Sequence, residues 1–243
     1  MLAMACMPGA GAQEDGAAPR AIKVEGRRNP GDVPYAGFVD LYNRLLTYLP
    51  AEPRMFDVLY RISFANLSLP EQDAYEAPSW AVSIVGDTID EMVPVRRGGY
   101  FLLPERELAR QEKATLMFKE KSRRNFVEVA WVLRIGTDQR LRYADFGKAM
   151  AQLRGVQKVI PVMRSLAYHA EKYGKFDGLK ACFTGPGGAV LIDGAAAPAT
   201  ISGNCAVLPF EPVRAGSAEV IEFSGPLDIV TLIETAPYLR DKG

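Results

Sequence analysis

Short apolar segments separated by brief turns constrain the fold of this chain more than any other feature of its sequence. In "DVLYRISF" (57–64), Val58, Tyr60 and Ile62 alternate with other residues at the period of a half-buried strand. Further strands are predicted in "WAVSIV" (80–85), "IDEMVPV" (89–95), "YFLL" (100–103), "ATLMFKE" (114–120) and "FVEVAWVLRI" (126–135). Parallel strands need a crossover of about a dozen residues or more, and most of these gaps are too short for one. The segments therefore predict antiparallel sheets.

The hydrophobic period changes to that of a helix at two places. Pro50 and Pro53 end a predicted helix before the first strand, and one face of this helix carries an apolar stripe: Phe38, Leu41, Tyr42, Leu45 and Leu49. A second helical segment is predicted over residues 143–173, with a kink or break near 155–161. Its apolar face is expected to pack inward: Phe146, Met150 and Leu153.

Strand signals return in "LKACF" (179–183), "AVLI" (189–192), "CAVL" (205–208), "EVIEF" (219–223) and "LDIVTLIE" (227–234). The prediction is a mainly β fold with helices (α+β), built from two small antiparallel β-sandwich-like modules separated by a helical segment. Its parts are a signal-peptide remnant (1–12), a disordered linker (13–34), a helix plus first β module (35–137), the helical segment (138–175), a second β module (176–236) and a tail (237–243).

One phrase occurs twice, as "GGYFLLP" (98–104) and "GNCAVLP" (203–209). Each consists of a glycine turn, an apolar run and a proline, which cannot donate a hydrogen bond to a strand ladder. The strands after each phrase follow in the same order. Two interpretations stay open: an internal duplication that makes 80–135 equivalent to 179–234, or the chance recurrence of a turn–strand phrase in a β protein.

Composition disfavours nucleic acid and membrane-spanning functions. The 243 residues include 29 Lys plus Arg and 29 Asp plus Glu, so the formal net charge is zero. A nucleic-acid binder usually has a basic excess, and the basic stretch "KEKSRRN" (119–125) is interpreted as a solvated hairpin tip. No apolar run is long enough for a transmembrane span.

The amino terminus and the cysteines favour export to the periplasm or beyond. Ala10-Gly11-Ala12 is an A-x-A cleavage signal after a short apolar run, although no basic residue precedes Arg20. A lipoprotein signal at Cys6 and a flexible polar leader are the alternatives. Cleavage would leave Cys182 and Cys205, which are predicted to form a disulfide, with two buried free thiols as the alternative.

Elimination leaves little catalytic chemistry. His169 is the one histidine, and there is no C-x-x-C pair or G-x-S-x-G elbow, so no metal site, no cofactor and no triad is predicted. "TGPGGAV" (184–190) precedes a predicted strand rather than a helix, so it is interpreted as a wide turn. The stretch "DGAAAPATISGN" (193–204) is interpreted as a loop. The remaining candidates are acids near two turns: Asp87, Asp90, Glu91, Glu105 and Glu107. A hydrolase would need two of them to face each other.

The phrase "GGYFLLP" resembles the G-x-F-x-L-P strand of transthyretin-like β-sandwich modules in bacterial envelope proteins. With the helix "YADFGKAM" (143–150), the order of elements over residues 36–210 resembles an uncharacterised family of exported proteobacterial proteins. This resemblance implies a β-rich periplasmic protein and carries no catalytic residue.

The leading hypothesis is a non-catalytic exported β-sandwich protein that binds or scaffolds an unknown envelope protein, polymer or small ligand. Its binding face could use Trp80, Tyr100 or Trp131, although alternating aromatics in strands are often core residues. The alternatives are a carboxylate-dependent hydrolase of envelope polymers and a carrier of an apolar ligand.

Overall fold

The computed structural model describes residues 31–78, 81–119, 125–160 and 176–239. Its first elements are β1 (Val33–Pro34), α1 (Tyr35–Leu46), β2 (Phe56–Phe64), α2 (Leu69–Ala74), β3 (Val82–Val85), β4 (Asp90–Met92), β5 (Tyr100–Phe101), α3 (Glu107–Gln111), β6 (Thr115–Phe118) and β7 (Asn125–Leu133). We call this part the first half. The second half contains β8 (Arg140–Arg142), α4 (Tyr143–Val159), β9 (Gly178–Phe183), β10 (Ala189–Ile192), β11 (Ala195–Ala196), β12 (Thr200–Ser202), β13 (Cys205–Pro209), β14 (Val220–Ser224), β15 (Leu227–Ile233) and α5 (Ala236–Leu239).

The described strands form three antiparallel sheets. A seven-stranded sheet runs through both halves in the order β12-β13-β9-β15-β7-β2-β5. Two four-stranded sheets have the orders β1-β6-β3-β4 and β11-β10-β14-β8. The predicted mainly β, α+β fold of antiparallel sheets is therefore confirmed.

The two halves repeat one order of elements. Read from β1 and from β8, the small sheets run β1-β6-β3-β4 and β8-β14-β10-β11. In the large sheet, β7 and β15 lie side by side, β2 and β9 flank them, and β5 and β13 come next. Each half starts with a short strand followed by a helix, so α4 has the position in the second half that α1 has in the first.

Each of these two helices begins with a tyrosine that holds it to a distant loop. Tyr35 donates its hydroxyl hydrogen to the Pro104 carbonyl oxygen at 2.6 Å and accepts the Arg106 N–H at 2.7 Å. Tyr143 likewise accepts the Glu211 N–H at 2.8 Å. The loops after the two copies of the repeated phrase are thus fixed to the helix starts in the same way.

One face of the seven-stranded sheet, which we call the inner face, contributes to both main hydrophobic cores. α4 packs Phe146, Met150 and Leu153 into one core, and each of these side chains is at most 1% exposed. The first small sheet and α1 pack over Tyr60 and Ile62 of β2 on the same face. The inward face predicted for α4 is confirmed, while residues 161–173 of the predicted helical segment lie outside the described residues.

Each strand predicted from alternation contains a strand of the structure, but three expectations need correction. The apolar stripe predicted for α1 is only in part its buried face, since Leu41 is 48% exposed whereas Tyr35 and Val39, outside the stripe, are buried. The strands β6 and β7, which flank the basic stretch interpreted as a hairpin tip, belong to different sheets rather than to one hairpin, and residues 120–124 lie outside the described residues. The glycine- and alanine-rich stretch 193–204, interpreted as a loop, contains the short strands β11 and β12.

Within the described ranges, no helix has the length and apolar character needed to cross a bilayer.

Candidate functional site

The outer face of the seven-stranded sheet holds buried charges. Side chains alternate along a strand, so the residues between the inner core positions of β2 and β9 point to the opposite face. Arg61 of β2 and Lys180 of β9 are two of these, with exposed fractions of 8% and 0%. A buried charge is costly unless it is paired. Asp73 of α2 and Tyr238 of α5 cover the two cations, and we call these four residues the charged cluster.

Asp73 is the centre of the charged cluster. Its Oδ1 atom accepts a hydrogen bond from Arg61 Nη2 at 2.7 Å and a second, short one from Lys180 Nζ. Lys180 Nζ also donates to the Tyr238 hydroxyl at 3.1 Å, and that hydroxyl donates to Asp73 Oδ2 at 3.3 Å. One carboxylate therefore ties two strands and two helices together.

The surroundings keep Lys180 charged. Burial opposes the ammonium form, but the nearby Tyr100 phenol and the Asp73 carboxylate favour it, and the pKa of Lys180 lies above its ordinary value. Burial also raises the pKa of Tyr238, which keeps its phenol protonated. The guanidinium of Arg61 lies 4.9 Å from the centre of the Tyr100 ring, a favourable cation–π distance. A protonated amine is neither a nucleophile nor a general base, and its hydrogen bonds to Asp73 and Tyr238 make Lys180 a structural link in the charged cluster.

Local sequence explains why α2 sits over this face. Ser68 and Glu71 form a capping box, with the Ser68 N–H bonded to Glu71 Oε2 at 2.8 Å. Gln72 then bridges the strand and the glycine turn: its Nε2 donates to the carbonyls of Ile62 at 2.9 Å and Gly98 at 3.2 Å. The helix is thereby held in the position that brings Asp73 onto the two cations.

A disulfide lies beside the charged cluster. Cys182 and Cys205 are directly opposite each other on β9 and β13, and the structure joins them as the sequence predicts. Both are on the outer face, at 4% and 2% exposure. The two sulfur atoms and a carboxylate oxygen of Asp73 all lie within 4.8 Å of one another. Disulfide and charges are thus parts of one buried site.

Two buried hydroxyls on the same face have no hydrogen-bond partner among the described residues. They are Thr231 Oγ1, opposite Lys180 on β15, and Ser202 Oγ, opposite Cys205 on β12. Buried polar groups normally have a partner, which is often an ordered water. These two atoms are places where water or another small polar species is expected.

The acids considered for catalysis at the sequence level are largely engaged elsewhere. Glu91 accepts two hydrogen bonds of 2.8 Å from Arg106, and these bonds lower the pKa of the Glu91 carboxyl. Glu105 pairs with Arg110 at 3.2 Å, and Glu107 accepts from Gln111. A general acid of a hydrolase needs a raised pKa, so the ion pair of Glu91 argues against that role. Asp87 and Asp90 lie at the β3–β4 hairpin, where Asp90 is exposed.

The prediction of an exposed aromatic binding face is wrong for Trp131 and Tyr100, the two candidates that the structure describes. Trp131 is 1% exposed and packs edge-on against Phe56 in the core. Tyr100 is 2% exposed beneath Arg61. Both lie within packed layers because neighbouring elements cover each face of the sheet at these positions. Trp80 and His169 lie outside the described residues.

The surface of the described residues includes two open grooves. One, of about 380 Å³, is floored by Val132 and Ile229 and has Arg96 paired with Asp228 at 3.0 Å on its rim. The other, of about 460 Å³, is lined by Arg134, Arg140 and Arg142 together with acidic residues. Their arginines are bound in ion pairs with carboxylates. Neither groove has the enclosed apolar form that an apolar-ligand carrier needs.

Family models, curated proteins and solved structures were each compared with this chain, and none of the three comparisons finds a match.

Proposed function

We propose that this protein is a non-catalytic, exported β-sandwich protein that binds or scaffolds a protein of the cell envelope through an apolar patch on its first half. The engaged carboxylates and the closed charged cluster support a binding role over hydrolysis. The buried disulfide is compatible with an oxidising compartment.

The patch consists of Met92, Pro94 and Leu102, and we call it the edge patch. Val95 and Phe101 pair across two antiparallel segments, and both contribute to the core. Pro94 and Leu102, next to them in the chain, therefore point the other way. Met92 is 58% and Leu102 is 52% exposed, and Pro94 is exposed as well. These side chains place apolar surface along the line where the two sheets of the first half meet.

The second half covers the corresponding position, and this contrast carries the proposal. Leu102 stands two residues before Pro104, as Val207 stands two residues before Pro209. Val207 is 0% exposed, pairs with β12, and α5 lies against β12. An apolar position that is covered in one half and open in the other suits a partner with an apolar surface of the kind α5 presents.

Site-specific photo-crosslinking in the native host tests this proposal. A photoreactive phenylalanine analogue at position 102 should give one adduct of defined mass, which mass spectrometry identifies. The matched control has the same analogue at Val213, which is 91% exposed and lies in the second half. An equal adduct pattern at both positions, or no adduct at 102, would overturn the edge patch.

The identified partner then allows a quantitative measurement. Leu102→Asp should weaken binding to the purified partner about tenfold or more, as for the loss of a central apolar contact. Val213→Asp should leave the affinity unchanged. Equal effects of the two variants would show that charge, not the edge patch, governs the interaction.

Export is tested separately by the intact mass of protein recovered from the native periplasm. The A-x-A signal predicts a mature chain that begins near Gln13. A cytoplasmic protein that keeps Met1 would contradict export without affecting the edge patch.

We further propose that the two halves arose by internal duplication of a unit that starts at β1 and at β8. The matching strand orders and the matching tyrosine contacts support it. Gly98 and Gly203, which the repeated phrase makes equivalent, both have positive φ, at 74° and 56°. A least-squares superposition that places Pro104 and Pro209 at unrelated positions would contradict the duplication.

A further inference from the structure

Two cysteines and a carboxylate of the outer face place three possible metal ligands close together. The sulfur atoms of Cys182 and Cys205 and an oxygen of Asp73 lie within 4.8 Å of one another, and all three residues are buried. Thiolate and carboxylate are ligand types that zinc accepts. We propose that the reduced form of this protein binds one thiophilic divalent ion, such as Zn²⁺, through Cys182, Cys205 and Asp73.

The strands hold the two thiols at a suitable separation. Two sulfur ligands of a tetrahedral zinc ion lie ~3.8 Å apart when each Zn–S bond is ~2.3 Å. Cys182 and Cys205 are opposite each other in register, with a Cα–Cα distance of 4.0 Å. Rotation about their side-chain bonds is enough to open the sulfur atoms to this separation, so the ladder between β9 and β13 can stay intact.

Asp73 still has room for a metal bond. A carboxylate offers about four lone-pair positions. Among the described residues, Oδ1 accepts from Arg61 and Lys180, whereas Oδ2 accepts the Tyr238 hydroxyl at 3.3 Å. Oδ2 is therefore the oxygen with a free position for the ion. The hydrogen bonds on Oδ1 would orient the carboxylate, as outer partners do in metal sites.

Binding leaves the buried charge unchanged. A phosphine reductant breaks the disulfide: the phosphorus is oxidised to a phosphine oxide, and water supplies the oxygen and the two protons of the new thiols. When the ion binds, each thiol gives its proton to the buffer, so one divalent ion replaces two protons. The net charge of the site stays as it is with the disulfide, and Asp73 keeps its ion pairs with Lys180 and Arg61.

Three protein ligands leave a fourth position, which zinc commonly fills with water. The Ser202 hydroxyl is buried without a hydrogen-bond partner among the described residues and lies on β12 directly opposite Cys205. A metal-bound water is a suitable partner for such a hydroxyl. This unpartnered atom is a second observation that points to a small polar occupant of the site.

Cobalt titration of the reduced full chain under nitrogen tests the proposal. A Cys6→Ser background confines the signal to the two remaining cysteines. We expect thiolate-to-cobalt charge-transfer bands that saturate at one Co²⁺ per chain and disappear when Zn²⁺ is added. The oxidised form of the same preparation is the matched control and should give no bands. Absence of the bands in the reduced chain would overturn the site.

The role of Asp73 is tested by Asp73→Asn, which should weaken cobalt affinity about tenfold or more while the thiolate bands persist. A folded variant that binds as tightly as the parent would remove Asp73 from the site. Because Asp73→Asn also removes a buried anion and so destabilises the fold, zinc-edge X-ray absorption of the unsubstituted, reduced, zinc-loaded chain decides the same point. Two sulfur neighbours with oxygen neighbours are expected, and a shell without sulfur or with sulfur alone would contradict the proposal.

Discussion

At the scale of single residues, Asp73 is the charge on which both buried ion pairs of the charged cluster depend. It is one buried anion that faces two buried cations, Arg61 and Lys180. Removing one cation leaves Asp73 with the other, whereas removing the anion leaves two positive charges together in a closed site. A broken buried pair is costly chiefly because of the charge that stays behind. Substitution of Asp73 should therefore lower the stability of the fold more than substitution of one of the two cations.

We expect Asp73→Asn to lower the free energy of unfolding by about 3–5 kcal/mol. Lys180→Met should cost less, because Arg61 still pairs with Asp73. The double variant should lose less than the sum of the two, as a double-mutant cycle in urea would show. The matched control is the pair Lys148–Asp145, whose lysine is 61% exposed, and Lys148→Met should change stability by about 0.5 kcal/mol or less. If the double variant instead loses the full sum of the two single losses in unfolding free energy, this account is wrong.

Acid should weaken the contact between Asp57 and Arg134. Two hydrogen bonds of 2.8 Å from Arg134 lower the pKa of Asp57 from its ordinary value of 3.8. The folded chain therefore binds this proton less readily than the unfolded chain, and the ionised carboxylate stabilises the fold above the ordinary pKa. That contribution is lost as pH falls through the lower, folded-state pKa.

Unfolding experiments on Asp57→Asn at neutral and at acid pH would measure this effect. The side chain is 48% exposed, so the difference from the parent should be at most about 1 kcal/mol at pH 7 and should vanish in acid. A difference that persists unchanged in acid would mean that the ion pair is not its source.

Between elements, the disulfide is the one covalent link among the described residues, and it closes the loop from β9 to β13. The separation of 23 residues predicts a stabilisation of about 3 kcal/mol from the restricted unfolded chain. Cys182→Ala combined with Cys205→Ala should lower the free energy of unfolding by about that amount under oxidising conditions. Under reducing conditions the parent and the double variant should differ much less. Equal stability under oxidising conditions would show that the bond does not form.

α4 is the element whose packing is easiest to test. Leu153 is 0% exposed in the core, so Leu153→Ala should cost about 2–5 kcal/mol in urea unfolding. Val159, at the end of the same helix, is 52% exposed and provides the control. Val159→Ala should change stability by about 0.5 kcal/mol or less. Similar losses at both positions would mean that this face is not selectively buried.

The sequence predicts most strands well because their alternation is strong, and it predicts the inward face of α4 for the same reason. It misses α2 and α5, which span 6 and 4 residues and are too short to show a helical period. Ser68-x-x-Glu71 was a usable signal for α2, since it is a capping box. The charged cluster could not be predicted, because Asp73 and Lys180 are 107 residues apart and meet only through the fold.

In the whole molecule, the equivalence of the halves is broader than the repeated phrase suggests. The helices α1 and α4 begin with "YAGF" (35–38) and "YADF" (143–146), so both halves have a Y-A-x-F pattern at the start of their first helix. In the structure α4 packs into a core that contains residues of both halves, so it does not separate two modules. Side-chain periods could not show this, because a helix that separates modules and one that belongs to a module have the same apolar stripe.

The core around α4 is shared between the halves, and this has a consequence for cutting the chain. Three residues of the first half belong to that core: Phe56, Val58 and Trp131. By contrast, the strand ladder between β7 and β15, which joins the halves within the large sheet, has two residue pairs in the described region. Neither half can therefore close its apolar surface alone. A protease cut within the connection 134–139 should leave two fragments that refold only when mixed, as in fragment complementation. The protein is thus a candidate for a split reporter. The affinity of its two fragments for each other would be set by core side chains rather than by the strand ladder.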